Sequence, residues 1–279
     1  MLKQRISTAI IMAAVFLASV FFLPWLLFTL LMGVLVAVAL WEWSDLAGLG
    51  TLSTRVGYTI ASIVIMVAIG FYCGLLGQKS IDVDLVRTLL IIASGWWALA
   101  LLWVQGYPSS AILWGSTTMR LIIGWLVLIP GWLALAYLHH QPQGYWLVLL
   151  PVLIVASADI GAYFVGRAFG KSPLAKAVSP GKSWEGFWGG LISCTLLALI
   201  IALVTDFSQW FIVLAIVLPA ALASVLGDLL ESMVKRHRGI KDSGTILPGH
   251  GGIMDRLDSL TAAAPIFTLA ILISGWQFQ

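Results

Sequence analysis

Apolar stretches about as long as a bilayer is thick recur from one end of this chain to the other, and that regularity leaves few folds open. An α-helix rises about 1.5 Å per residue, so roughly 20 apolar residues cross a hydrocarbon core of about 30 Å. Turn residues and charges mark off such stretches at Ile6 to Leu23, Trp25 to Trp43, Val56 to Leu76, Thr88 to Val104, Arg120 to Leu138, Tyr145 to Val165, Trp188 to Val204, Trp210 to Leu230 and Leu260 to Trp276. At 61% hydrophobic and 10% charged residues, the chain cannot cover a soluble surface. An outer-membrane barrel would alternate short segments rather than keep its apolar runs unbroken. The expected fold class is therefore all-α, a polytopic integral membrane protein of about nine transmembrane helices. Lys3 and Arg5 precede the first stretch as they would in a secretory signal. Apolar residues then continue past Pro24 and Trp25 to Leu40 without a small-residue cleavage site, which predicts an uncleaved span. Trp25, Trp43, Trp103, Tyr145, Trp210 and Trp276 stand near stretch ends, where interfacial aromatic residues gather.

Orientation follows from where the cations fall, because short cytoplasmic loops concentrate Lys and Arg. With nine spans and a cytoplasmic N-terminus, Lys3, Arg5, Arg55, Arg120, Arg167, Lys171, Lys176, Lys182, Lys235, Arg236, Arg238, Lys241 and Arg256 lie inside. Only Lys79 and Arg87, of the 15 Lys and Arg, lie outside. His139 and His140 fall in a predicted outside loop, where solvent would surround them. Charge also divides the chain. Residues 1–140 read as a scaffold of about five spans whose only acidic residues near the membrane are Glu42 and Asp45, close to a helix end. Residues 141–279 read as a catalytic region of about four spans with two basic cytoplasmic loops. Cys73 and Cys194 sit in apolar stretches as small hydrophobes and make no disulfide framework.

The first basic loop, Asp159 to Gly186, carries Arg167, Lys171, Lys176 and Lys182 among Gly and Pro turns. The second, Lys235 to Arg256, carries five cations in a Gly-rich setting. Juxtamembrane cations alone would suit anionic lipid headgroups. A simple lipid-anchoring patch has no use, however, for Asp228, Glu231, Asp242, Asp255 and Asp258, which weaken attraction to an anionic membrane. Cations mixed with carboxylates suit a site where phosphates meet a divalent metal. Asp228 and Glu231 are three residues apart and share a helix face, as do Asp255 and Asp258. Antiparallel helices could bring Asp228 and Asp255 to one metal. Gly239, Gly244, Gly249, Gly251 and Gly252 allow tight turns whose N–H groups can cradle phosphate. PGKS at Pro180 to Ser183 is not a P-loop: Lys176 replaces the required Gly, and no strand is expected before it.

Ser232, Lys235, Arg236, Lys241, Asp242, Gly244, Leu247, Pro248, His250, Gly251, Gly252, Asp255, Arg256 and Asp258 resemble, in order and spacing, the signature of the phosphatidate cytidylyltransferases, or CDP-diacylglycerol synthases. The resemblance extends to Asp159, Ala162, Tyr163, Gly166, Arg167, Gly170 and Lys171, to SPGKSWEG, and to GDLLES from Gly227. It covers the back half of the chain; the front half matches only in having several apolar spans. It implies transfer of a cytidylyl group from CTP to phosphatidic acid with Mg²⁺, and a monovalent cation beside it is left open. The implied setting is a bacterial-type inner membrane with the site facing the cytoplasm. The implied partners are CTP, phosphatidic acid and the lipid bilayer, with no nucleic acid and with room for a homodimer.

On this reading Asp228 and Asp255 hold the metal, with Glu231 in support and Asp159 as a further candidate. Lys235, Arg236, Lys241, Asp242, His250, Arg256 and Asp258 form the catalytic set. Arg167, Lys171, Lys182, Ser232, Gly251 and Gly252 bind substrates. Other readings remain: the same chemistry on another lipid phosphate, or a secondary transporter with intramembrane acids as ion sites. Transport sites belong near the midplane of repeated halves, whereas these acids lie at span ends and no repeat is evident. An enzyme joining a CDP-lipid to an alcohol would need a different acidic motif, which is absent.

Overall fold

A computed structural model describes residues 2–77, 80–246, 249 and 251–276, with side chains from Ile6 onward. Lys79, Leu247, Pro248 and His250 lie outside the described residues, as do the side chains of Lys3 and Arg5.

The apolar stretches are helices: α1 (Leu2–Phe22), α2 (Trp25–Leu46), α3 (Leu52–Tyr72), α4 (Val83–Gln105), α6 (Thr117–His140), α7 (Gly144–Phe169), α8 (Trp184–Val204), α9 (Trp210–Arg238) and α10 (Met254–Ser274). A single turn, α5 (Ala111–Trp114), precedes α6. Among the described residues eight helices, α2 to α4 and α6 to α10, are long and apolar enough to cross a membrane; α1 contributes a shorter apolar helix, Ile6–Phe22. The chain is thus an all-α polytopic membrane protein.

Local chemistry sets the boundaries. Thr51, Asp82, Ser116 and Ser183 each accept a hydrogen bond from a backbone N–H in the first turn of α3, α4, α6 and α8, filling groups that a helix start leaves unpaired. Gly239 and Gly275, both at positive φ, end α9 and α10. The helices outrun the apolar stretches where the site lies. α9 continues from Leu230 to Arg238 and α10 begins at Met254, so Lys235, Arg236, Asp255 and Asp258 are helical rather than in a long loop. Hydropathy marks where lipid ends, while the backbone ladder continues into the polar zone.

Two further expectations change. Residues 170–183 are not only turns: β1 (Pro173–Ala175) pairs antiparallel with β2 (Ser179–Ser183), which contains the PGKS segment. Strands this short, rich in Pro, Gly and Ser, have no period-two signal to read. His139 is half-buried rather than surrounded by solvent, while His140 is exposed. The His139 ring stacks on Phe28 with centroids 4.0 Å apart, and its Nε2 lies 3.1 Å from the Val20 carbonyl oxygen.

Close backbone approach organises the C-terminal helices. α7 packs along α8 through Gly161, Gly186, Gly189 and Gly190, where a Cβ would press on the facing backbone. Gly227 of α9 likewise lies against the Asp258 carbonyl of α10. α10 also packs on α6 and α4, so the C-terminal helices are seated in the N-terminal ones.

Candidate active site

Lys235 is the electrostatic centre of the α9–α10 pair. Its ammonium donates to Glu231 Oε2, one turn back on α9, and to Asp255 Oδ1 at the start of α10, each at 2.7 Å. All three side chains are nearly inaccessible: 12% exposed for Lys235, 1% for Glu231 and 8% for Asp255. Charges so withdrawn from water persist only when paired, and this lysine pairs with two carboxylates at once. Glu231 Oε1 nevertheless stays buried with no hydrogen-bond partner. Asp258, one turn beyond Asp255, lies within electrostatic reach of both Glu231 and Asp228.

The described residues of the signature loop, 239–246, 249 and 251–253, are held from two sides. Asp255 accepts from the backbone N–H of Gly252 at 2.8 Å and of Ser243 at 3.0 Å. Glu42, on α2 and only 3% exposed, accepts from Ile253 N at 3.1 Å and Met254 N at 2.8 Å, and from Ser243 Oγ at 3.5 Å. The N-cap of α10, Ile253, supplies no capping side chain of its own. A carboxylate from 211 residues away fills that role, at the helix end where negative charge is favoured. Three signature glycines fit this arrangement. A Cβ on Gly244 or Gly252 would stand 2.5 Å from a Glu42 oxygen, and Gly251 has φ +82°, a conformation side chains resist. Lys241 and Asp242, both exposed, line a recess of about 660 Å³ with Trp41, Glu42, Asp45 and Arg55.

The β1–β2 hairpin supplies the third side. Lys182 pairs with Asp228, which also accepts from Ser232 Oγ at 3.2 Å. Arg236 Nε donates to the Val178 carbonyl at 3.3 Å, tying the hairpin to the end of α9. Glu185 anchors the hairpin's other end by accepting from Lys171 N at 3.1 Å and Ser172 N at 3.2 Å. Beneath the hairpin a cavity of about 370 Å³ is lined by Asp159, Arg167, Lys182 and Ser183 with Gly166 and Gly186. Arg167 donates to Tyr163 Oη at 2.8 Å, and Asp159 feels the charges of Lys182 and Asp228. Lys171 lines a shallower recess of about 330 Å³ with Lys176 and Lys182.

The residues nominated from sequence thus fall into touching groups. Asp159, Arg167, Lys182, Asp228, Ser232 and Arg236 surround the hairpin. Glu231, Lys235, Asp255 and Asp258 form the helix pair, and Lys241, Asp242, Gly251 and Gly252 belong to the loop. Arg256 is exposed at the first turn of α10, and Lys171 is exposed at the hairpin's start. Glu42 and Glu185 were passed over as site residues. From sequence, Glu42 reads with Asp45 as charge near a helix end of the scaffold, although an acid inside an apolar span is itself a signal.

By chemistry the donors, carboxylates and a hydroxyl, are those a hard divalent cation takes, but each is already engaged: Asp228 with Lys182 and Ser232, and Glu231 and Asp255 with Lys235. Among the described residues, no three His, Cys, Asp or Glu side chains are gathered at ligating distance. Asp255 is instead satisfied by Lys235 and backbone amides.

Comparison with known proteins agrees with this picture. A model described as the cytidylyltransferase family matches residues 3–274. The chain is 43% identical over 279 residues to a phosphatidate cytidylyltransferase of Pseudomonas aeruginosa, covering 99% of both chains. It is 41% identical over 284 residues to one of Haemophilus influenzae, covering 96% of this chain and 98% of that one. A phosphatidate cytidylyltransferase of Mycobacterium leprae is 40% identical over 165 residues, 58% of this chain and 52% of the relative.

Proposed function

The chain belongs to the cytidylyltransferase family, and from that premise we propose that it transfers the cytidylyl group of CTP to phosphatidate, releasing pyrophosphate and forming CDP-diacylglycerol for phospholipid synthesis. One observation carries the assignment to this site: Lys182 of the hairpin meets Asp228 of α9, which joins the two basic segments into one polar centre at a membrane boundary.

In the reaction a phosphate oxygen of phosphatidate bonds to the α-phosphorus of CTP. The bond from that phosphorus to the bridging oxygen of the β-phosphate breaks, and its electron pair leaves with pyrophosphate. A phosphomonoester has a second pKa near 6, so the nucleophile is mostly ionised at neutral pH and needs no strong base. The larger task is to let two polyanions approach and to stabilise the leaving group, which calls for fixed positive charge. Lys182 and Arg167 line the cavity under the hairpin, and Lys171 extends that field outward. Arg236 at the end of α9, Lys241 in the loop and Arg256 at the start of α10 are further cations that would neutralise phosphates. Lys235, buried between two carboxylates, orients Asp255, and Asp255 in turn holds the loop amides.

Asp228 and Asp255, with Glu231 or Asp258 and with Asp159 as a further candidate, would hold a Mg²⁺ ion, which would offset the negative charge of the phosphates. A cation there would compete with Lys235 for Asp255 and Glu231. The site faces the cytoplasm of a bacterial-type inner membrane, where CTP is available and the basic segments match the inward bias of Lys and Arg.

The deciding assay incubates purified protein with labelled CTP, dCTP, ATP, GTP or UTP and phosphatidate, and follows label into the lipid phase. Label enters with cytidine nucleotides and phosphatidate together, and with neither alone; incorporation independent of phosphatidate would refute the reaction. Chelation of divalent ions with EDTA abolishes incorporation and added Mg²⁺ restores it, while full activity after exhaustive chelation would remove the metal from the reading. Lys182→Ala lowers kcat/KM by about 10²-fold, the scale of losing one preorganised charge contact. A loss under about threefold would place Lys182 outside the reaction.

A further inference from the structure

Arg120, in the first turn of α6, is a cation only 9% exposed, and among the described residues no carboxylate forms an ion pair with it. Its Nε has no acceptor, and its Nη1 donates at 3.0 Å to the carbonyl of Leu46, the last residue of α2. The Arg120 carbonyl in turn accepts from Trp43 Nε1 at 2.7 Å, so the two helices hold each other in both directions. Glycines make room for this contact. Gly48, at φ +92°, turns the chain beside the guanidinium, and a Cβ on Gly124 would strike the Trp43 ring.

Two more arginines hold the same segment. Arg55 of α3 donates to the Trp41 carbonyl at 3.1 Å and to Ser44 Oγ at 3.0 Å, with its guanidinium 4.3 Å from the Trp41 ring centre. Arg238, at the end of α9, donates to the Asp45 carbonyl at 3.4 Å. The carbonyl end of a helix is the negative pole of its dipole, and here cations from three other helices meet it. A guanidinium withdrawn from water persists only where its partners compensate it, and the partners of Arg120 are backbone atoms of this one stretch, residues 41–46. Glu42 lies inside that stretch, with its carboxylate on the Ile253 and Met254 amides.

We infer that Arg120, assisted by Arg55, is a positioning residue for the proposed transfer: it clamps the end of α2 so that Glu42 presents its carboxylate to the start of α10 and the signature loop. The kinetic consequence rests on that reaction, whereas the clamp rests on the contacts alone. By sequence both arginines count only toward the inward bias of charge.

Hydrogen exchange reads the clamp without turnover. In purified protein without CTP or phosphatidate, Arg120→Gln speeds deuterium uptake in peptides containing Ser243, Ile253 and Met254 by about tenfold, the scale of one lost hydrogen bond from a charged donor. Arg120→Lys keeps a cationic donor and brings uptake back to within about threefold of native. Ser62→Ala is the control. It strands Trp125 Nε1 between α3 and α6, touches nothing at the end of α2, and leaves loop uptake native.

Kinetics give the second reading. Arg120→Gln lowers kcat about tenfold while the KM values for CTP and phosphatidate stay within about twofold, because the loop is displaced and not removed. In a Glu42→Ala background the same substitution lowers kcat by less than about twofold, since the residue it acts through is already gone. Native loop uptake in Arg120→Gln, equal uptake in Ser62→Ala, or an undiminished loss of kcat in the Glu42→Ala background would overturn the inference. Should Arg120→Gln not fold, Arg55→Gln, at a half-buried position near the start of α3, carries the same expectation of faster loop uptake, and native uptake there overturns the clamp. Faster uptake in a protein that converted no phosphatidate would refute the reaction and still support the clamp.

Discussion

Replacing Lys235 with methionine abolishes cytidylyl transfer and destabilises the protein by about 3–5 kcal/mol, the cost of leaving buried charge without its partner. The reason is geometric. One ammonium serves Glu231 and Asp255 at 2.7 Å each, and neither carboxylate has water to turn to. The apparent melting temperature in detergent, followed by size-exclusion chromatography, falls accordingly. Adding Glu231→Gln to Lys235→Met removes one of the stranded charges and recovers part of the stability. Activity does not return, because Asp255 still lacks the contact that orients it toward Gly252 and Ser243. If the double variant regained near-normal turnover, Lys235 would be a purely structural residue and its place in the mechanism would fall.

Glu42→Ala gives the second large effect, from a residue on a helix remote in sequence. Removing its carboxylate leaves Met254 N buried and Ile253 N half-buried without acceptors, at about 1–3 kcal/mol for the buried group and less for the other. The larger consequence is positional. Glu42 and Asp255 hold the 239–253 loop between them, and a catalytic loop displaced by about 1 Å can lose about 10²-fold in rate. Steady-state kinetics on Glu42→Ala therefore show a fall in kcat of about that size, and the KM for phosphatidate changes less. Glu42→Gln keeps the shape and one acceptor oxygen and falls between, about tenfold below the native protein. Native kinetics in Glu42→Ala would show that the loop keeps its place without this contact.

Much of the site was legible because its chemistry is local. Asp228 with Glu231, and Asp255 with Asp258, are helix neighbours by spacing alone, and the Gly-rich loop between them announces close backbone contacts. Lys182 was legible as a cation in a basic segment, but its partner Asp228 was not, because the hairpin that delivers it has strands too short to leave a pattern. Glu42 was missed for a related reason. Its meaning lies in backbone groups more than 200 residues away, and nothing near it in sequence points there.

By itself, then, the sequence determined that this chain is a bundle of membrane-crossing helices and which residues carry charge at its polar boundary. Both are short-range properties: apolar length against bilayer thickness, and side-chain spacing along one helix. Only the tertiary structure decided that α2 caps α10 and that the hairpin lysine meets α9. Those outcomes depend on how helices far apart in sequence pack together. Because lipid solvates every apolar face about equally well, hydropathy cannot name the partner, and close backbone fit with buried polar pairing must do so.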